Sequence, residues 1–209
     1  MRTPDFARNV KKLTIQAYSF FEENPMEYEI GTLVDAIEAL HNITSFAWVG
    51  PLPIPPSEVL DALRHSSGQK VVDILLHPEI PEDICLPAFT QLKSLVFTHR
   101  YVANWPAMHA VPYHKTIHAA IAANSKTLRR LDVFGDVLWG CPPEPYANLL
   151  ELTIVFPNTL DGLHSVFEHC RRLEGFTLCT ENDSRDFGEI LTAHPDAFPS
   201  LTSFKLLSV

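Results

Sequence analysis

Leu128-Arg129-Arg130-Leu131-Asp132-Val133 and, 21 residues on, Leu149-Leu150-Glu151-Leu152-Thr153-Ile154 each put apolar side chains at the first, fourth and sixth positions. The last three positions alternate with period two, which is the pattern of a strand buried on one face. The same spacing recurs at residues 10–15, 43–48, 71–76, 92–97, 173–178 and 201–206. The first residues of the eight segments are separated by 33, 28, 21, 36, 21, 24 and 28. Self-similarity at such intervals is a repeat signature, and it takes precedence over any single-segment reading.

The stretches between these segments have helical periodicity. Residues 32–40, 57–63, 116–122 and 160–167 are examples; Leu33, Ile37 and Leu40 fall at i, i+4 and i+7, one stripe on one helix face. Polar breakers follow at His41-Asn42, Ser66-Ser67-Gly68, Asn124-Ser125 and His169-Cys170-Arg171-Arg172. Strand, helix and strand joined by short links predict right-handed parallel coils. One strand and one helix cannot bury their apolar residues alone, so coils stack and share a core. The expectation is a single α/β domain over residues 1–209. It is an irregular solenoid whose curved parallel sheet of about eight strands, roughly 34 Å along the stack, carries helices on its outer side.

Composition bounds the rest. The chain has 209 residues, 16 basic and 25 acidic side chains, and a formal charge of −9. With 46% apolar and 20% charged residues it is an ordinary globular sequence, which excludes disorder and collagen-like architecture. No apolar run reaches the ~18–20 residues of a membrane span, and the N-terminus lacks a secretory h-region. The four cysteines, Cys85, Cys141, Cys170 and Cys179, show no CxxC spacing, so reduced thiols and a cytoplasmic or nuclear location are expected. Charge is evenly spread, with 8 basic and 13 acidic groups in residues 1–104 and 8 and 12 in residues 105–209. Nucleic-acid binding needs a clustered basic surface, and the pairs Lys11-Lys12, Arg129-Arg130 and Arg171-Arg172 do not make one.

The repeat spacing, the helices and the Leu-x-x-Leu-x-Leu cores resemble the irregular leucine-rich repeats of F-box proteins, fungal members in particular. The opening, Pro4-Asp5-Phe6-Ala7-Arg8-Asn9-Val10-Lys11-Lys12-Leu13-Thr14-Ile15, resembles their entry strand after the F-box. The closing Phe198-Pro199-Ser200-Leu201-Thr202-Ser203-Phe204-Lys205-Leu206 resembles a repeat start. The resemblance covers residues 4–207. It implies the substrate-recognition part of a ubiquitin ligase receptor, with a protein substrate or partner on the concave face. With nine residues before Val10, no F-box is expected within these residues. An N-terminal F-box segment missing from this chain, through a truncated gene model, or a partner that caps the ends, is the expectation that follows. A further departure lies at the ninth repeat position, where regular members carry Asn. Here it holds Tyr18, Pro51, Glu79, Arg100, Asp136, Pro157 and Glu181, so no Asn ladder is expected there.

Chemistry has few candidates. His109, His114 and His118 are close in sequence, but Lys115 stands where a zincin pattern needs Glu. There is no Gly-x-Ser-x-Gly elbow and no phosphate loop. No catalytic residue, metal or cofactor is expected, and the alternatives are a free-standing scaffold unrelated to ubiquitin and an α/β hydrolase or metal enzyme.

What remains is a surface. The outward strand positions form three columns, of which the last (Gln16, Val49, His77, Thr98, Phe134, Val155, Cys179 and Leu207) is unusually apolar. Such patches mark interaction sites unless loops fold over them. Tyr, Trp and Arg dominate binding hot spots. The expected partner-binding residues are Arg100, Tyr101, Trp105, Asp132, Phe134, Trp139, Thr153 and Val155.

Overall fold

The computed structural model describes residues 4–18, 27–52, 55–67, 69–76, 84–97, 114–180 and 184–208. A short helix α1 (Pro4–Asn9) leads into β1 (Lys12–Tyr18), α2 (Glu27–Glu38), β2 (Ser45–Leu52), α3 (Ser57–Ser67) and β3 (Asp73–Leu76). Then come β4 (Ser94–Phe97), α4 (His114–Ala123), β5 (Arg130–Phe134), β6 (Glu151–Val155), α5 (Leu163–His169), β7 (Gly175–Thr180), α6 (Ser184–Ala193) and β8 (Ser203–Ser208). Three-residue 3-10 turns at Leu86–Ala88 and Tyr146–Asn148 replace helices where the spacing is 21 residues. An α-helix of three turns rises about 16 Å, so the short intervals lack the chain for one.

The eight strands form a single sheet in the order β1-β2-β3-β4-β5-β6-β7-β8, and every adjacent pair is parallel. Lys12, Ser45, Asp73, Ser94, Arg130, Glu151, Gly175 and Ser203 stand opposite one another in that register. Each lies two residues after the first apolar residue of its segment.

A recurring backbone device sets this register. The carbonyl of Lys11 accepts the N–H groups of both Thr44 and Ser45. Thr44 does the same for Val72 and Asp73, Val72 for Lys93 and Ser94, and Lys93 for Arg129 and Arg130. Arg129, Leu150 and Glu174 continue it to Leu150/Glu151, Glu174/Gly175 and Thr202/Ser203, all at 2.7–3.2 Å. One entry carbonyl per coil thus holds the next coil by two donors, satisfying backbone groups that would otherwise be orphaned at the strand start.

The core lies on one face of the sheet. Phe46, Trp48, Ile74, Leu76, Leu95, Phe97, Leu131, Val133, Leu152, Ile154, Phe176 and Leu178 are buried, and their intervening neighbours are half-exposed in β3, β4 and β7. A sheet covered on both faces reads as continuous burial, so this alternation places the packed layer on one side only. Val59, Leu60, Ala62 and Leu63 of α3 and Leu163, Val166 and Phe167 of α5 complete that layer.

Side chains add a second link between coils. Ser67 ends α3, donates to the Leu40 carbonyl at 2.7 Å and accepts from the Ile43 N–H at 3.2 Å. Asn124, just beyond α4, accepts the Leu92 N–H at 2.7 Å and donates to the Phe89 and Ala120 carbonyls. Ile43 and Leu92 are the first apolar residues of their segments, and Leu40 and Phe89 lie three residues before them. The two polar residues therefore make the same stitch to the preceding coil. At the C-terminal side, Phe204 occupies a core-facing register position yet is 44% exposed, stacking on Phe176 and Phe187.

Candidate functional site

The sheet face that nothing among the described residues covers is built from the residues that alternate away from the core. Its first row runs Lys12, Ser45, Asp73, Ser94, Arg130 and Glu151; its second runs Thr14, Ala47, Leu75, Val96, Asp132 and Thr153. Parallel strands about 4.8 Å apart bring these side chains into lateral contact range. The first row, with Ala47, Leu75 and Val96 of the second as an apolar floor and Arg129 alongside, lines a shallow groove of about 480 Å³.

Electrostatics on this face centre on Arg130. Its Nη2 donates to Asp132 Oδ2 at 3.0 Å, its Nε to Asp132 Oδ1 at 3.5 Å, and Glu151 Oε2 lies 3.6 Å from Nε. The Asp132 hydrogen bond, with the fields of Asp132, Glu151 and Asp73, raises the guanidinium further above its ordinary value against partial desolvation. Asp73 is half-exposed and has no hydrogen-bond or ion-pair partner among the described residues; it acts on Arg130 only through space. The adjacent Arg129 is committed elsewhere, donating to the Lys126 and Leu128 carbonyls. Arg130 is thus ion-paired on this face, whereas Arg129 donates to uncharged backbone carbonyls and keeps its positive charge.

Of the residues expected to bind a partner, Asp132 and Thr153 lie on the open face, Asp132 with its side chain 14% exposed. Phe134 and Val155 do not. Each is 2% exposed and packs in the core cluster with Val137, Leu138 and, at its margin, Phe156. The reason is the path of the chain beyond the strands. A 3-10 segment (Gly135–Leu138) follows β5, and the Asp136 carboxylate accepts the Asn158 N–H and Nδ2–H, both at 2.9 Å. Phe156 adopts φ 52°, and its N–H donates to the Cys179 carbonyl at 2.7 Å. These loops roof the third column at Phe134 and Val155, whereas Leu207 at its far end is 50% exposed and His77 and Thr98 lie outside the described residues. Asp136 also fills the ninth repeat position, where a short polar acceptor links one coil to the next without being Asn.

Trp139 is half-buried rather than displayed. Its indole Nε1 donates to the Thr159 carbonyl at 3.2 Å, and its ring lies against Gly162 so closely that a Cβ there would meet ring carbons at 2.1 Å. Arg100, Tyr101 and Trp105 lie outside the described residues.

Two histidine contacts are found elsewhere among the described residues. His118 Nε2–H donates to the Val137 carbonyl, tying α4 to the turn after β5. His164 Nδ1 lies 2.7 Å from His194 Nε2, joining α5 to the end of α6 beside a cleft lined by Asp161, Asp186 and Glu189. Among the described residues no three His, Cys, Asp or Glu side chains converge as metal ligands. All four cysteines are free thiols. Burial pushes Cys85 up to about 11 and Cys141 and Cys170 up to about 12, so none of these three offers a thiolate near neutral pH. No helix among the described residues is long and apolar enough to cross a membrane.

The face that sequence reasoning passed over is the Leu75–Val96 floor beside Asp73. Its signal was present in the first two outward columns, but the third column drew attention by being more apolar. No protein-family model matches this chain, and no curated protein matches it.

Proposed function

We propose that the chain is a leucine-rich-repeat-type solenoid whose open sheet face binds another protein, and that it acts as the substrate-recognition part of an F-box-type ubiquitin ligase receptor. The observation that carries the binding half is the one-sided sheet. Five adjacent strands, β2 to β6, present an apolar floor edged by ordered charges with nothing among the described residues packed on it. A surface of that kind supplies what interfaces need, an apolar centre and a polar rim. The repeated entry-carbonyl device supports the solenoid, because it joins every described coil to the next in the same way. The ubiquitin half rests on the resemblance to fungal F-box receptors and their repeat starts.

A photo-crosslinking amino acid placed at Val96, and separately at Glu189 on α6, tests the reading in cells. Crosslinking of a discrete partner from Val96 and not from Glu189 is the expected result. Adaptor and cullin subunits captured with the same chain support the ligase role. A partner captured without them leaves a free-standing interaction module, and crosslinks from Glu189 alone reject the open face.

A further inference from the structure

We propose that the strand-entry edge of the sheet is a second binding surface, a basic strip that takes an acidic stretch of a partner polypeptide. It does not rest on the reading of the open face, which it borders through Lys12, Arg129 and Arg130.

The argument begins with where the fold puts the cations. Parallel coils bring every strand start to one edge, and the entry carbonyls from Lys11 to Glu174 mark it coil by coil. The five residues ending at each register position, from 8–12 on the first coil to 199–203 on the eighth, make up this edge. These forty residues hold ten of the chain's 16 basic side chains but three of its 25 acidic ones, a net of +7 in a chain of −9. An even scatter would put about three basic side chains there. Elsewhere six basic side chains stand against 22 acidic ones, so the fold sorts charge that the sequence spreads.

Arg8, Lys11 and Lys12 belong to the first coil, Lys70 to the third and Lys93 to the fourth. Lys126, Arg129 and Arg130 follow on the fifth, and Arg171 and Arg172 on the seventh. All are exposed except Arg129, which is half-buried. Side chains join neighbouring starts: Asn42 donates to the Arg8 carbonyl and accepts from Lys70 Nζ, and Asn148 donates to the Ser125 carbonyl. Lys70, Arg129 and Arg171 donate to uncharged oxygens and so keep their charge. Arg130 is the one edge cation in an ion pair among the described residues. The facing carboxylates are Asp73, Glu151 and Glu174 on the edge itself, with Glu168 and Asp196 beside Arg171.

The composition of the strip favours polypeptide over nucleic acid. None of its forty residues is Phe, Tyr or Trp, so it has no platform on which bases stack. Glu151 and Glu174 interrupt it on the sixth and seventh coils. A polynucleotide carries a phosphate at every step and meets both carboxylates, whereas a polypeptide sets a neutral residue there. From the first coil to the seventh the strip is about 29 Å long, which about nine residues of extended chain span. Neighbouring cations about 5–10 Å apart act together on such a segment at low salt. Acidic side chains over the first, fourth and fifth coils fit, with a neutral one over the sixth.

The test is fluorescence anisotropy of the purified full chain against three labelled probes at 0.05 M and 0.3 M salt. They are a twelve-residue peptide alternating Glu and Ser, the same peptide with Lys for Glu, and a twelve-nucleotide oligothymidine strand. The Glu peptide is expected to bind at 0.05 M, to weaken at 0.3 M and to bind more tightly than either other probe. Lys93→Gln with Lys126→Gln, on adjacent coils, should weaken it about five-fold at 0.05 M. Lys115→Gln with Lys205→Gln changes net charge equally but away from the edge, and should weaken it less than about two-fold. All four lysines are exposed, and circular dichroism checks that both variants fold. Equal losses in the two variants would mean that net charge alone acts, and overturn the inference. So does failure of the wild type to bind the Glu peptide at 0.05 M, and so does tighter binding of the oligothymidine strand or the Lys peptide.

Discussion

The side-chain carbonyl of Asn124 accepts the backbone N–H of Leu92 at 2.7 Å across 32 residues of chain. Its amide donates to the Phe89 carbonyl at 2.6 Å and to the Ala120 carbonyl at 2.8 Å, so all of its near-planar amide is used at a site that is 1% exposed. Ser67 repeats the arrangement toward Leu40 and Ile43 with a single hydroxyl. Coil-to-coil order is therefore held by a polar stitch beneath the helices as well as by apolar packing.

Removing that stitch should cost more than removing an exposed polar group. Asn124→Ala leaves the Leu92 N–H and the Phe89 carbonyl buried without partners, a loss of about 2–4 kcal/mol. Ser67→Ala removes the one hydroxyl that bonds both the Leu40 carbonyl and the Ile43 N–H and should cost about 1–2 kcal/mol. Urea unfolding followed by circular dichroism measures both. Equal, negligible losses would mean that the stitch is incidental to stability.

Sequence pattern made the strands legible because period two persists through all eight segments and the register follows it, Leu131 opposite Leu152 and Leu152 opposite Phe176. It made Asn124-Ser125 and Ser66-Ser67-Gly68 legible as breaks, but not as buried links, since a polar residue between elements reads the same in water and under a helix. The third column misled for a related reason. Burial of Phe134 and Val155 depends on where the chain goes next, and that path turns on Asp136 reaching Asn158 and on Phe156 in the left-handed region. Neither leaves a local signature, because non-glycine residues adopt positive φ only under tertiary pressure. Asp132 was legible as a residue of the open face since its outward phase is fixed by the neighbours Leu131 and Val133.

Core and surface apolar positions should separate in experiment. Phe134→Ala should destabilise the fold by about 3–5 kcal/mol, through lost transfer energy and the cavity left behind. Leu75→Ala, on the half-exposed floor, should cost under about 1.5 kcal/mol and act on partner capture instead. Paired unfolding and capture measurements read the split. A stable Phe134→Ala protein with lost capture would return that residue to the interface.

Gly162 is needed for space rather than for backbone freedom. A methyl group there meets Trp139 ring carbons at 2.1 Å, closer than flexible packing absorbs. Gly162→Ala should displace the indole, break its hydrogen bond to the Thr159 carbonyl and cost about 1–3 kcal/mol. Trp139 emission should shift to the red as the ring gains water, read against a Trp139→Phe control. An unchanged spectrum would show that the ring accommodates the methyl without moving.

Alkaline pH should weaken the fold through its buried thiols. Cys170 is fully buried, and burial alone pushes its thiol from the ordinary 9.0 up to about 12. Below pH 9 the thiol is protonated whether the chain is folded or not, so its contribution is fully present there. Between pH 9 and 12 it ionises only on unfolding; the unfolded chain then binds fewer protons, and stability falls as pH rises. The slope from one such thiol approaches about 1.4 kcal/mol per pH unit, and Cys141, also pushed up to about 12, acts in the same direction. Urea midpoints from pH 8 to 10.5 should decline along this limb. Cys170→Ala should be less stable at neutral pH, since it vacates core volume, yet show a shallower alkaline decline. A mutant whose decline parallels the wild type would mean that Cys170 ionises equally in both states and would reject the effect.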